Sequence, residues 1–155
     1  MSRAFVKDDD GGEGVEELPD RLISPHANLV TAQGLALIEA EVAKFATAYA
    51  DAQTTGDRGE LQRVARDLRY WTARRASAEV QPAPPQNGRV HFGSSVEIMR
   101  SDGRKQTYRI VGEDEADPAK GTLSYVSPLA QALIGKAAGD EVRAGAGGAE
   151  ILKIA

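Results

Sequence analysis

Two carboxylates three residues apart, Asp57 and Glu60, lie in a short polar break, Gly56-Asp57-Arg58-Gly59-Glu60. Side chains at that spacing would be presented together at the end of a turn, where an exposed pair can be carried into another macromolecule's cavity. They also suit a plainer task. Asp57 can be the N-cap of a following helix, with Glu60 at the third helical position as its capping-box partner. An acid there also favours the positive end of the helix dipole. From the break alone both readings stand. Little else in the chain competes as a catalytic or metal-binding group. His26 and His91 are the only histidines and lie far apart, and there is no cysteine. A disulfide framework, a cysteine zinc site and a thiol nucleophile are therefore excluded.

The elements that must position the pair flank it. Before the break, Leu35, Ile38, Val42, Phe45, Tyr49 and Ala52 recur at steps of three and four; after it, Leu61, Val64, Leu68, Trp71, Arg75 and Ala78 do the same. Each set forms one stripe of a helix. Two such stripes joined by a few residues bury each other by folding back as an antiparallel helical hairpin. The acids then stand at its tip. Asn28 or Thr31 suits the cap of the first helix, which the pattern carries to about Thr54; the second runs from about Glu60 to Glu79. Of the neighbours Tyr70 and Trp71, the heptad count puts Trp71 in the seam. Arg75 interrupts the apolar stripe, which predicts a polar contact at the hairpin base.

Charge is unevenly spread over the 155 residues. Residues 1–27 hold seven acids (Asp8, Asp9, Asp10, Glu13, Glu16, Glu17, Asp20) against three bases. They lack apolar periodicity and read as an acidic disordered tail. Residues 58–75 hold six arginines (Arg58, Arg63, Arg66, Arg69, Arg74, Arg75) against Glu60 and Asp67. That contrast suits either steering toward a polyanion or masking of the arginine helix by the tail; a solvated helix face is the plainer alternative. No apolar run approaches transmembrane length, and the first residues lack the apolar core of a signal peptide. A monomer in the cytoplasm, without membrane contact, is the expectation.

Pro82, Pro84 and Pro85 make 81–87 a stiff linker between a hairpin at 28–80 and a second domain at 88–155. Strands are expected at 89–92, 96–100, 106–111, 123–126, 141–143 and 149–154. Asp102-Gly103 is a hairpin turn, and Ser127-Pro128 opens a short helix over 129–136. About five strands, mostly antiparallel, with one helix across them make an α+β domain.

Residues 88–154 resemble the C-terminal domain of the GreA/GreB bacterial transcript cleavage factors. Gly88-Arg89-Val90 with Phe92-Gly93, Tyr108 to Gly112 with Asp114 to Asp117, Ser127 to Ala130 with Ala132 to Lys136, and Gly139-Asp140 carry the likeness. The family's N-terminal domain is an antiparallel coiled coil with Gly-Asp-x-x-Glu at its tip, matched here by Gly56 to Glu60. The resemblance implies an FKBP-like fold for 88–155 and docking on RNA polymerase at its secondary channel, through Asp114, Ser127, Pro128 and Leu129. It implies that Asp57 and Glu60 help the polymerase hold Mg2+ and orient a water, so that the polymerase itself, not this chain, cleaves backtracked RNA. Arg58, Arg63, Arg66 and Arg69 would contact the channel or the extruded nascent RNA.

The family usually has asparagine after the tip glutamate, where this chain has Leu61. Both arms are shorter than the family's by about two turns, roughly 10 Å. A Gre-like regulator that occupies the channel without stimulating cleavage is therefore an alternative. Two further alternatives are an FKBP-type prolyl isomerase using Phe92, Tyr108 and Tyr125, and a nucleic-acid-binding hairpin that works through the arginines alone.

Overall fold

Thr31, in extended backbone, accepts a hydrogen bond on its hydroxyl from Gly34 N–H and so caps α1, Ala32–Thr55. Alanine-rich and free of proline, α1 runs about 36 Å over its 24 residues. It stops at Gly56, whose φ of 73° is left-handed and open to glycine without strain. Asp57 follows at once as the N-cap of α2, Arg58–Ser77. The chain therefore reverses over two residues. Ile38, Ala52 and Val64 are buried between the arms, while Leu35, Val42, Phe45, Tyr49, Leu61, Leu68 and Trp71 are half-buried. At the base, β1 (Leu29–Val30) pairs in parallel with β2 (Glu79–Val80), tying the two ends of the hairpin together.

The computed structural model describes residues 18–155. The second domain is a five-stranded sheet of β3 (Ser95–Arg100), β4 (Lys105–Val111), β5 (Thr122–Ser124), β6 (Glu141–Ala144) and β7 (Gly147–Ile154), in the order β5-β4-β3-β7-β6. Only the β4–β5 pair is parallel. Alternation along β3 and β6 turns Val96, Ile98, Val142 and Ala144 inward. They join Val90, Ile110, Leu123 and Ile151 in one core, closed by Ala130 and Leu133 from α3 (Pro128–Leu133). The class is α+β, a helical hairpin followed by a mostly antiparallel sheet with one short helix.

Four expectations change. The tail expected to be disordered lies outside the described residues only as far as residue 17. From Leu18 onward the chain packs along α2 and reaches the hairpin base. Arg75 is exposed and Arg74 takes the buried place beside the seam, so the polar contact exists but falls one residue earlier. The segment 89–92 is no strand; a single bridge, Arg89 to Ala137, is all the pairing it makes. The short helix ends at Leu133 rather than at 136, because Val90 C=O accepts from Gly135 N–H, which pulls the chain out of helical register.

Candidate functional site

At the tip, each carboxylate commits one oxygen to the protein. Asp57 Oδ1 accepts from Glu60 N–H at 3.1 Å. Glu60 Oε2 accepts from Arg63 Nη2 at 2.8 Å and Nε at 3.3 Å. Their other oxygens, Asp57 Oδ2 and Glu60 Oε1, make no hydrogen bond among the described residues. The capping box is thus half-formed: Asp57 caps, but Glu60 turns to Arg63 instead of back to the Asp57 N–H. Both acids are exposed. Two free carboxylate oxygens suit a hard cation that keeps most of its waters or takes further oxygens from elsewhere. Among the described residues no third acid or histidine joins them to make a closed metal site. Leu61 is half-buried against the seam and points no polar group at the pair.

Arg63, Arg66 and Arg69, at steps of three, follow one side of α2 toward its base. Arg66 Nε lies 3.8 Å from Asp67 and makes no hydrogen bond among the described residues. Arg69 Nε is held at 2.6 Å by Asp20, from the N-terminal segment. Arg58, at the first position of α2, is exposed. The basic face expected from sequence is real, but its base-proximal end is already covered from within the chain.

The base of the hairpin carries a polar joint that the sequence reading did not assign. Asp114, expected at a docking surface, is only 7% exposed. Its Oδ2 accepts from Arg74 Nε at 2.6 Å and its Oδ1 from the Tyr70 hydroxyl at 2.5 Å. Residues 70 and 74 are one helical turn apart, so a single carboxylate receives both. Arg74, 2% exposed, also donates Nη2 to Asn28 Oδ1, and Asn28 Nδ2 donates to Arg74 C=O. Burial, then the bond to Asp114, pushes the Tyr70 hydroxyl up to about 12. Beside this joint, Glu115 accepts from the hydroxyl and N–H of Thr31 and from Gly112 N–H. A Cβ on Gly34 would fall 1.9 Å from Glu115 Oε2, and one on Gly112 2.4 Å from Leu29 C=O. The block 111–115 therefore fastens the sheet to the hairpin, and Asp114 has almost no surface left for a partner. The polar interruption in the seam and the adjacent acids were the available signal; what sequence lacked was the pairing between them.

The other expected docking residues remain at the surface or near it. Ser127 caps α3 by accepting from Ala130 N–H, Pro128 is exposed, and Leu129 is half-buried against the core. Phe92 and Tyr125 meet edge to face at 5.6 Å on the same core, and the Tyr125 hydroxyl donates to Ala27 C=O. These rings pack on the core and hold the entering chain.

The family model described as "Transcription elongation factor, GreA/GreB, C-term" matches residues 85–155. The chain is 38% identical over 136 residues to a transcription elongation factor GreB of Haemophilus influenzae, covering 76% of this chain and 86% of that protein. It is 49% identical over 65 residues to a GreA of Syntrophobacter fumaroxidans, covering 41% of this chain and 42% of the relative. Among solved structures, the GreA factor homolog 1 of Thermus thermophilus aligns with 84% of this chain and 99% of its own at 17% identity. The TM-score is 0.41, too loose a superposition to place individual residues.

Proposed function

The chain belongs to the GreA/GreB family of transcription elongation factors, and from that premise we propose that it binds bacterial RNA polymerase at the secondary channel and assists cleavage of backtracked RNA. The observation that carries the reading is the tip. Two exposed carboxylates, each with a free oxygen, stand at the end of a hairpin whose arm is about 36 Å long. Nothing among the described residues uses those two oxygens. Mg2+, when bound between this tip and the polymerase, would supply charge stabilisation at the scissile phosphate. This chain's own part is positional. Asp57 is fixed by its cap bond, and Glu60 is held by Arg63. Both are carried by a base whose joint sets the direction of the arms. Docking falls to the surface around Ser127, Pro128 and Leu129, without Asp114. The reaction is the polymerase's, and this chain is not itself the enzyme.

Two observations favour a second reading, a regulator that occupies the channel and does not stimulate cleavage. Arg63 already neutralises Glu60, and arms of 24 and 20 residues limit the reach. Backtracked complexes assayed with the full chain over a range of magnesium concentrations separate the two. Asp57→Ala or Glu60→Ala is expected to cost tenfold or more in stimulated cleavage, on the order of 1 to several kcal/mol, while polymerase binding holds. If Asp57 is only a cap, its replacement costs about 1 kcal/mol of stability and changes nothing that depends on magnesium. No stimulation by the wild-type chain at any magnesium level leaves the regulator.

A further inference from the structure

Asn87-Gly88 closes the proline linker and opens the sheet domain, and both residues are exposed. Asn87 Oδ1 accepts from Arg89 N–H at 3.1 Å, as in an Asx turn, and lies 2.9 Å from His91 Nε2. A backbone N–H can only donate, so the Asn87 atom facing it is the oxygen. An amide oxygen can only accept, so His91 Nε2 carries a proton and donates as well. Two donors thus converge on one side-chain carbonyl and draw electron density from its carbon. The adjoining Gly88 N–H donates to no group among the described residues. At Gly88 φ is 77°, and no atom lies within 4 Å of where a Cβ would stand. Nothing there blocks the glycine nitrogen from closing a ring onto the asparagine side chain.

Two comparable sites among the described residues are blocked. Asn28 is 4% exposed, donates to Arg74 C=O at 2.7 Å, accepts from Arg74 Nη2 at 2.7 Å, and is followed by leucine. Asp102-Gly103 makes a similar turn, with Asp102 Oδ1 accepting from Arg104 N–H at 3.0 Å. There the nitrogen is occupied, because Gly103 N–H donates to Arg100 C=O at 2.9 Å. The Arg104 N–H, and then its guanidinium, also hold the Asp102 carboxyl below its usual range. An ionised carboxylate resists attack by a nitrogen nucleophile, whereas a neutral amide with two donors invites it.

We propose that Asn87 is a self-modifying site at the domain junction, where Gly88 N attacks the Asn87 side-chain amide and His91 speeds the attack. Solvent base removes the Gly88 N–H proton, and the nitrogen bonds to Asn87 Cγ. Charge develops on Oδ1, where Arg89 N–H and His91 Nε2 already donate. The Cγ–Nδ2 bond breaks, Nδ2 takes a proton from water, and ammonia leaves. Water then adds to either carbonyl of the succinimide ring and opens it to aspartate or isoaspartate. One water is consumed, one ammonia is released, and nothing is oxidised. The aspartate form adds a negative charge at the junction. The isoaspartate form adds a methylene to the main chain just before Arg89, whose backbone bridges Ala137. Polymerase takes no part, so this inference and the proposed function fail separately.

For the test, full-length wild type, His91→Leu and His91→Gln are aged in mildly alkaline buffer, both folded and in denaturant. Conversion at each site is followed by peptide mass spectrometry, with chromatography to part the two isomers, and a melting curve checks each fold. In the folded wild type, conversion is expected at residue 87 while residues 28 and 102 stay unchanged. His91→Leu should slow it several-fold in the folded chain and leave the rate in denaturant alone. His91→Gln keeps an N–H donor and should recover part of the lost rate. A folded wild type that keeps Asn87 intact while the denatured chain converts overturns the proposal, and that comparison needs no variant to fold. Equal rates for folded wild type and His91→Leu overturn it too. So does an equal slowing in denaturant, which would owe nothing to the folded geometry.

Discussion

Ile98, Ile110, Leu133 and Ile151 are wholly buried in the sheet domain, whereas Ile38, Ala52 and Val64 are the buried apolar residues between the hairpin's arms. The sheet domain gathers its apolar side chains into one dry cluster. The hairpin spreads a similar set along a seam where most remain half-wet. A narrow two-helix rod has one contact face per helix and cannot do better. The difference shows where each region draws its order. The sheet holds itself by packing. The hairpin relies on its ends: a two-residue reversal at the tip, and the Arg74–Asp114–Tyr70 joint with Glu115 and the β1–β2 pair at the base.

The largest expected effect breaks this contrast at the joint. Arg74→Ala or Asp114→Ala leaves a buried charge unpaired and should cost about 3–5 kcal/mol. The loss should appear in the hairpin first, as faster amide exchange along α1 and α2 while the sheet stays protected. Loss of both regions together would mean that the joint is not what separates them. A double replacement, Arg74→Met with Asp114→Leu, should recover much of the stability, because hydrophobic isosteres often replace a buried pair at little cost.

Core against seam comes next. Ile98→Ala should cost about 2–5 kcal/mol in chemical unfolding. Phe45→Ala, half-buried, should cost about half the value for a fully buried phenylalanine, roughly 1–3 kcal/mol. Equal costs would contradict the difference in burial.

The smallest effect sharpens the joint by pH. Tyr70 keeps its proton more tightly folded than unfolded, its hydroxyl being raised to about 12 by burial and then by Asp114. Its contribution is therefore complete below about pH 10 and is lost as pH rises from there through 12. Stability of the wild type should fall more steeply than that of Tyr70→Phe over this window. Parallel alkaline limbs would remove Tyr70 from the joint.

The hairpin was legible because a stripe of period three to four, broken by glycines, admits few other shapes. Thr31 and Asp57 were readable as caps for the same local reason. Strands β3, β4 and β7 were readable from alternation around Asp102-Gly103 and the late glycines. Arg89 to Phe92 looked like a strand, but its backbone is taken up by the chain after α3, a partner that alternation does not reveal. The heptad count put Arg75 in the seam and missed Arg74, because the sheet domain adds a second packing surface to one side of α2. The tip was readable as residues but not as geometry: that Glu60 turns to Arg63 depends on a rotamer, which spacing does not specify.

The joint at the hairpin base also works as the fulcrum of a lever. Tyr70 and Arg74 stand roughly 20–26 Å from Asp57 along α2, so each degree of rotation about Asp114 displaces the tip by about 0.4 Å. A misplacement of about 1 Å is enough to weaken a reacting geometry a hundredfold. On the proposed function, the angular play that Asp57 and Glu60 can tolerate is then under about three degrees. Bonds from Arg74 and Tyr70 to separate oxygens of one carboxylate resist rotation in a way that a single contact could not.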